Sequence, residues 1–247
     1  MERWLITSPR NPAIKLIRSL AEKKFRRQAG LFVAEGELVL ARARAEGWEP
    51  DYLVATRDVE PWGTAQRMTV SEKVMASLSG QSNPAGVIGV FRQRWHDTVK
   101  PDGLWLALED MRDPGNLGTI LRTADAVAAS GVILAGQSCD PWGPDCVRAT
   151  MGSIFAMPLT RMDKPALIAL CKAWRGDVVG THLQGREDYR RTYASPSLLV
   201  MGSEGRGLSD ELATACRLLV RIPMQGAAQS LNVAVAAGIM LYEIVKG

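Results

Sequence analysis

Histidine and cysteine are scarce in this chain. Its 247 residues include two histidines and four cysteines. His96 and His182 lie far apart, and the cysteines lack the spacing of metal ligands, so we predict no metal site. The cysteines are better explained as reduced thiols, which are typical of a cytoplasmic protein.

Long apolar runs are absent as well. No stretch approaches the roughly 18 residues of a membrane span, and the first residues lack the apolar core of a signal peptide. We therefore expect a cytoplasmic protein that does not enter a membrane. With 47% hydrophobic and 23% charged residues, the composition is that of a globular protein. The length suits one large domain or two small ones.

Several catalytic signatures are also missing. The chain has no G-x-G-x-x-G loop after a first strand and no G-x-x-x-x-G-K-[ST] loop, which argues against a nicotinamide dehydrogenase and a P-loop hydrolase. The acidic-Gly-x-Gly-x-Gly loop usual in open-sheet methyltransferases and the G-x-S-x-G elbow are missing too.

Positive charge is concentrated at one end of the chain. Residues 1–97 contain 15 basic and 11 acidic residues, whereas residues 98–247 contain 15 of each. Residues 1–30 alone contain eight basic and two acidic residues. A basic end on a neutral body indicates a polyanionic partner, although a solvated helix face would look similar.

The pattern of strands and helices predicts two domains. Residues 1–97 form a small α/β domain, in which one helix runs from Pro12 past Phe25 with Lys15 and Arg18 on its polar side. The polar stretch 92–103 is the linker. Residues 98–247 form a second α/β domain with a mostly parallel sheet and helices on both faces. Glycine-rich loops at 110–118, 202–209 and 223–230 should gather at the carboxyl ends of its strands, where such sheets bind ligands.

The last stretch combines an irregular loop with a helix. Pro223 and Gly226 prevent regular structure, and Ser230 is the predicted N-cap of a helix that spans residues 231–245. Val235, Ile239, Tyr242 and Val245 mark its apolar face. Free backbone amides before such a helix suit a polar ligand, but an ordinary packing helix would also fit this pattern.

Three stretches of the second domain are informative when taken together. They are Asp113-Pro-Gly-Asn-Leu-Gly-Thr-Ile-Leu-Arg122, Leu199-Val-Met-Gly-Ser-Glu-Gly-Arg-Gly-Leu-Ser209, and Ile222-Pro-Met224 with Ser230-Leu-Asn232. In this order and at this spacing they resemble the SpoU/TrmH class of SPOUT RNA methyltransferases over residues 104–245. The N-terminal segment more loosely resembles a ribosomal-protein-like substrate-binding domain, at 8–15 and 32–36.

The resemblance implies a deep trefoil knot in the second domain, S-adenosylmethionine as cofactor, a homodimer with sites near the interface, and a 2′-O-methylated ribose as product. It also implies roles for individual residues. Those expected to contact the cofactor are Thr181, Gly202, Ile222, Met224 and Leu231. The polar reaction site is expected to contain three catalytic residues, Arg122, Glu204 and Asn232. It is also expected to contain two substrate-binding residues, Asn116 and Ser230. In the first domain, Lys15 and Arg18 are expected to bind substrate as well.

The chemistry of methyl transfer to a ribose supports these residue types. Family proposals make Arg122 the base, but arginine is effectively always protonated. We therefore assign Arg122 to the adjacent phosphate and the developing alkoxide, with a phosphate oxygen or Glu204 accepting the proton. Simpler explanations are a surface salt bridge for Arg122, a turn carboxylate for Glu204 and a local cap for Asn232.

We thus predict an S-adenosylmethionine-dependent RNA ribose 2′-O-methyltransferase, with ribosomal RNA favoured over transfer RNA. The alternative from another class is a non-catalytic RNA-binding or ribosome-assembly protein with the same fold. One departure from the family is Asp113, where asparagine is more usual. Because aspartate cannot donate a hydrogen bond from its side chain, substrate choice could differ.

Overall fold

A computed structural model describes residues 5–246 and divides them into two compact units. The first unit contains residues up to 93 together with 140–156, and the second contains 94–139 and the rest of the chain from 157. The predicted boundary at 97/98 thus lies close to the first crossing between the units. The sequence did not predict that 140–156 leaves the second domain and joins the first unit.

The first unit has a four-stranded sheet in the order β1-β4-β2-β3. Strands β2 and β3 are parallel, and the other neighbours are antiparallel. Helices α1 and α4 pack on this sheet over a core that includes Ile14, Ile17, Val74 and Ile88. The elements before residue 94 are α1 (Pro12–Ser19), α2 (Lys23–Ala29), β1 (Leu31–Glu35), α3 (Glu37–Ala45), β2 (Tyr52–Ala55), β3 (Gln66–Thr69), α4 (Glu72–Leu78) and β4 (Val87–Arg92).

The segment 140–156 is built into the core of the first unit. It contains α6 (Pro144–Ala149) and a short 3₁₀ turn (Ser153–Phe155). The ring of Trp142 lies 4.7 Å from that of Phe32, and the Trp48 indole Nε1 donates to the Phe155 carbonyl at 2.8 Å. Because these large rings are buried, a chain cut at residue 97 would expose them. Experiments on the protein therefore require the full chain.

The single helix predicted from Pro12 past Phe25 is wrong, because the structure breaks it into α1 and α2. Arg26, a basic residue within this segment, is buried. Its guanidinium donates to the carbonyls of Leu20 and Ala21 at the break and pairs with Asp140 at 2.8 Å. The side chain thus satisfies the carbonyls that the break leaves open, and also binds the 140–156 segment.

The second unit is built on a seven-stranded sheet in the order β7-β6-β5-β10-β8-β11-β9, and every neighbouring pair is parallel. This confirms the predicted α/β fold with a parallel sheet. Its elements are β5 (Leu104–Glu109), α5 (Pro114–Ala126), β6 (Gly131–Ala135), β7 (Leu159–Met162), α7 (Lys164–Ala173), β8 (Val178–Thr181), β9 (Glu187–Asp188), β10 (Ser197–Met201), α8 (Asp210–Ala215), β11 (Leu218–Arg221) and α9 (Val233–Val245).

The last helix, α9, begins later than predicted. Asn232, and not Ser230, is the N-cap, so the loop is two residues longer. On the predicted apolar face, Val235, Tyr242 and Val245 are exposed. The helix packs inward with the opposite face, formed by Val233, Ala234, Ala237, Met240, Leu241 and Ile244. Throughout 5–246, no helix is long and apolar enough to cross a membrane.

Candidate active site

The predicted loops meet at one edge of the parallel sheet. Strands β5, β10, β8 and β11 are consecutive neighbours. Because the strands are parallel, their carboxyl ends lie on the same side, where ligands of open α/β sheets bind. The loops that leave β5, β10 and β11 are the three glycine-rich stretches of the sequence.

A cavity of about 400 Å³ opens between the segments that follow β8, β10 and β11, within the size range of small-molecule sites. All five residues predicted to bind cofactor line it: Thr181, Gly202, Ile222, Met224 and Leu231. Glu204 and Ser230 also lie in its wall. The sequence reasoning missed other wall residues, among them His182, Gln184, Val233 and Ala236. His182 directly follows the predicted Thr181 at the end of β8, so its position was the one available signal.

A chain of hydrogen bonds joins the three loops. The Asn232 side chain donates to Asn116 Oδ1 at 2.9 Å, and Asn116 Nδ2 donates to Glu204 Oε1 at 3.1 Å. Asn232 Oδ1 meanwhile accepts from the amides of Ala234 and Val235. Asn232 is therefore a helix cap, as the simpler explanation had it, and also a bridge to Asn116. Glu204 likewise does more than close a turn, since it accepts a bond across 88 residues.

Asp113 has a structural use that explains its side chain. It is the N-cap of α5, and its Oδ1 accepts from the Asn116 amide at 2.6 Å. Aspartate and asparagine cap helices about equally well. The substitution therefore leaves the position of Asn116 intact.

Arg122 stands apart from the cavity. It lies on α5, six residues or about 9 Å along the helix from Asn116, and its side chain is exposed. It does not line the cavity, and within residues 5–246 it forms no ion pair, so the surface salt bridge is wrong. Lys15 and Arg18 are exposed on α1 of the first unit.

A buried acid that sequence reasoning missed holds one of the loops. Glu109, the last residue of β5, is 2% exposed. Its Oε2 accepts from the Ser209 amide at 2.8 Å, at the end of the 202–209 loop, and its Oε1 pairs with Lys164 at 2.7 Å. Lys164 also pairs with Asp110 at 3.0 Å. A carboxylate ending an apolar strand was the only signal for this site.

Two cysteines of the second unit are poor candidates for nucleophiles. Burial raises the pKa of Cys171 to about 11 and that of Cys216 to about 12, so both stay protonated at neutral pH. A protonated thiol is a poor nucleophile. Among the described residues, no group of three or more His, Cys, Asp or Glu side chains could hold a metal ion.

The family of the chain is identified by comparison with models of known families. Residues 103–242, more than half of the chain, match the model described as the SpoU rRNA Methylase family. The chain belongs to the SpoU rRNA methylase family. Residues 11–89 match a second model, the MRM3-like substrate binding domain. Both resemblances drawn from the sequence are thereby confirmed.

Curated relatives within the SpoU family match over nearly their whole length. A 23S rRNA (uridine(2479)-2′-O)-methyltransferase from Streptomyces viridochromogenes is 33% identical, over 92% of this chain and 86% of the relative. A 23S rRNA (guanosine(2553)-2′-O)-methyltransferase from Bacillus subtilis is 32% identical, over 97% of this chain and 98% of the relative.

Two solved structures match the fold of nearly the whole chain. An AdoMet-bound rRNA methyltransferase from Sinorhizobium meliloti is 41% identical with a TM-score of 0.89, over 97% of this chain and 96% of that one. The SpoU methyltransferase AviRb from Streptomyces viridochromogenes, in complex with AdoMet, is 30% identical with a TM-score of 0.84, over 96% and 98%.

Glu109→Ala is expected to lower the affinity of this SpoU protein for S-adenosylmethionine about tenfold to a hundredfold. The change removes the acceptor of the Ser209 amide and leaves Lys164 with one partner fewer, so the loop loses its anchor. Glu109→Gln keeps an acceptor oxygen, so its affinity for S-adenosylmethionine should fall between those of wild type and Glu109→Ala. Calorimetric titration measures the affinity, and thermal unfolding reports any loss of fold.

Asp110→Asn is the matched control, because Asp110 also pairs with Lys164 but does not touch the loop. The affinity of Asp110→Asn for S-adenosylmethionine should stay within about threefold of wild type.

The anchor should also tolerate a rise in pH. Contact with Glu109 and Asp110 raises the pKa of Lys164, so the ion pair between Lys164 and Glu109 is lost only as pH rises through that raised value. Affinity for S-adenosylmethionine should thus not fall as the pH rises from neutral to about 9. Wild-type affinity in Glu109→Ala would refute the anchoring role.

Proposed function

We propose that this protein transfers a methyl group from S-adenosylmethionine to a ribose 2′-hydroxyl of structured RNA, with ribosomal RNA preferred over transfer RNA. The observation that carries the proposal is the hydrogen-bonded chain Asn232–Asn116–Glu204, whose last member lines the cavity together with the five expected cofactor residues. The two relatives named as 23S rRNA 2′-O-methyltransferases support the ribosomal substrate.

The cavity suits S-adenosylmethionine on physical grounds. Gly202 lies so close to the backbone of Gly207 and Leu208 that any side chain would overlap them, so the loop presents bare backbone to the cavity. Ile222, Met224 and Leu231 supply an apolar wall, and Thr181 supplies a hydroxyl. When bound, S-adenosylmethionine supplies an electrophilic methyl group carried on a sulfonium.

The protein's own side chains position the hydroxyl and manage its proton. Asn116 donates to Glu204 Oε1, which leaves Oε2 free to accept the one proton that the 2′-hydroxyl loses; a phosphate oxygen of the RNA is the alternative acceptor. Arg122 holds the adjacent phosphate and stabilises the alkoxide that develops at the 2′-oxygen. Its lack of an ion pair within 5–246 leaves the guanidinium available. Ser230 and Asn116 bind the substrate ribose.

The first unit supplies most of the RNA affinity. Lys15 and Arg18 are exposed on α1, within the part of the chain that has an excess of basic residues. Contacts of this kind are to phosphates and to RNA shape, so binding should weaken steeply with salt. The domain model matched at 11–89 names substrate binding, which supports this assignment.

Three further features complete the proposal. The second domain contains the deep trefoil knot that the family resemblance implies. The RNA-binding domain is residues 1–97, and the methyltransferase domain is residues 98–247, except that the segment 140–156 packs in the first unit. The protein acts in the cytoplasm, where the ribosomal RNA named for its bacterial relatives is found.

The protein forms a homodimer through α9. Val235 and Tyr242 are more than half exposed, Val245 is 43% exposed, and Ile239 between them is half-buried. Gly238 lies on the same side, and a side chain there would meet nothing closer than Thr123 of α5, at 3.9 Å. An apolar face with a glycine at its centre lets a second helix approach closely. Arg122 is next to Thr123, so this interface would lie beside the reaction site.

The double variant Val235→Glu/Tyr242→Glu is expected to weaken the dimer by at least about a hundredfold, because each interface would bury unpaired carboxylates. Sedimentation of the full chain at micromolar concentration measures this. Leu5→Glu, also at an exposed apolar residue but in the first unit, should leave the dimer intact. A wild-type protein that sediments as a monomer would rule out the dimer.

The proposed reaction is tested in cells by mapping 2′-O-methyl marks. Ribosomal and transfer RNA from a strain lacking the gene are compared with RNA from the parent strain. One ribosomal 2′-O-methyl nucleotide should disappear and return when the wild-type gene is restored. An unchanged set of marks in both RNA classes would contradict the proposal.

A further inference from the structure

A second cavity lies wholly within the first unit and takes no part in the reaction proposed above. Its volume is about 450 Å³. Helix α1, the start of α3, the 79–85 loop and the 140–156 segment form its walls. Its lining includes Arg18, Leu38, Gln81, Arg148 and Met151.

Two large apolar side chains stand exposed at this groove. Leu38 is 81% exposed and Met151 is 55% exposed. Met151 has a φ of 51°, in the left-handed region that costs a residue with a side chain energy. Its neighbour Gly152 also has a positive φ, and a side chain there would press on Arg42. The fold thus holds an apolar side chain outward in a strained conformation.

The turn that carries Met151 is rigid. Thr150 is fully buried, and its hydroxyl donates to the Val147 carbonyl at 2.7 Å and accepts from the Gly152 amide at 3.3 Å. Across the groove, Glu35 accepts from the Ser79 hydroxyl and the Ala85 amide, both at 2.9 Å. Both walls are therefore formed before any ligand binds.

The charges at the groove favour an anionic ligand. Glu35 is occupied by the 79–85 loop, and Glu37 pairs with Arg57. Arg148 pairs with Asp145 at the surface. Arg18 is exposed and, in the part of the chain that the structure describes, forms no ion pair. The available charge at the rim is thus that of Arg18, which suits a phosphate.

We propose that this groove holds one unpaired nucleotide of the RNA substrate. Leu38 and Met151 contact the faces of the base, the Gln81 amide reads its edge, and Arg18 holds its phosphate. Proteins that recognise RNA by sequence mostly bind such unstacked bases. The inference rests on the proposed function and adds to it a site that selects the substrate by one exposed base, away from the methylated ribose.

Met151→Gly separates binding from stability, because it should weaken RNA binding while making the protein more stable. Glycine accepts positive φ without strain, so thermal stability should rise. Together with Leu38→Ala, it should weaken binding of the full chain to 23S ribosomal RNA from a strain lacking the gene about tenfold. The dependence of affinity on salt should not change, because no phosphate contact is lost. Arg18→Ala should instead reduce the salt slope by about one phosphate contact.

Two variants serve as controls. Ala128→Gly relieves another positive φ, of 53°, and Leu5→Ala removes another exposed apolar side chain. Both should bind RNA like wild type. Wild-type RNA affinity in the Leu38→Ala/Met151→Gly variant would overturn the inference while leaving methyl transfer by the wild-type protein, and so the proposed function, untouched. If the wild type transfers no methyl to RNA at all, the proposed function fails first.

A photocrosslinker at position 151 identifies the occupant. Benzoylphenylalanine there, in large ribosomal subunits from the same strain, should crosslink to an unpaired nucleotide, whereas the same group at position 5 should not. Crosslinks from position 151 to a ribosomal protein, or only to base-paired RNA, would show that the groove does not hold a single unpaired nucleotide.

Discussion

Arg122→Lys is expected to slow single-turnover methyl transfer about a hundredfold to a thousandfold. Lysine keeps the positive charge but loses the planar fork that can hold a phosphate and the 2′-oxygen together. Arg122→Ala should be at least as slow. Because Arg122 does not line the cofactor cavity, affinity for S-adenosylmethionine should hardly change.

The rate is measured with labelled S-adenosylmethionine and enzyme in excess over RNA, which isolates the chemical step from product release. Arg175→Lys, at an exposed arginine outside the cavity lining, is the matched control and should react at the wild-type rate. A wild-type rate in Arg122→Lys would show that the proposed mechanism is wrong. Loss of cofactor binding in Arg122→Lys would show that the cavity has been assigned to the wrong residues.

Gly202→Ala is expected to lower cofactor affinity by about a hundredfold. A Cβ at residue 202 would lie 1.9 Å from the carbonyl carbon and oxygen of Gly207 and 2.1 Å from the Leu208 nitrogen. These are backbone atoms, so the loop itself would have to move. Since the loop lines the cavity and carries Glu204, both cofactor binding and the acid's position should suffer.

Gly226→Ala, in the neighbouring 223–230 loop, is the control. A side chain at residue 226 would meet nothing within 4 Å, and Gly226 does not line the cavity, so cofactor affinity should remain close to that of wild type. Calorimetric titration of both variants compares the two glycines directly. Equal affinities for Gly202→Ala and Gly226→Ala would refute the claim that close backbone packing of the 202–209 loop shapes the cofactor site.

The sequence predicted most of what depends on local pattern. The apolar runs at Leu104 and Leu198 placed two central strands, and the glycine-rich stretches after strands placed the loops that line the cavity. The meeting of Asn116, Glu204 and Asn232 was expected only as a shared reaction site. Their hydrogen-bonded order was not, because it depends on side-chain directions that spacing does not fix.

The failures have a common physical cause, which is long-range packing. Arg26 looks like a surface charge on a helical pattern, but its burial depends on the carbonyls exposed by the break between α1 and α2 and on Asp140, 114 residues away. The exposed face of α9 is as apolar as the buried one, so periodicity could not choose between them. The segment 140–156 likewise packs in the first unit because it contacts residues such as Phe32 and Trp48, which lie far away in sequence.

The most direct test of the central claim is methyl transfer in vitro to 23S ribosomal RNA from a strain lacking the gene. The purified full chain and labelled S-adenosylmethionine are incubated with that RNA, which is then digested to nucleosides. The account predicts that the label appears in a single 2′-O-methylnucleoside. Label on a base, or no label in RNA while the protein binds the cofactor, would contradict it.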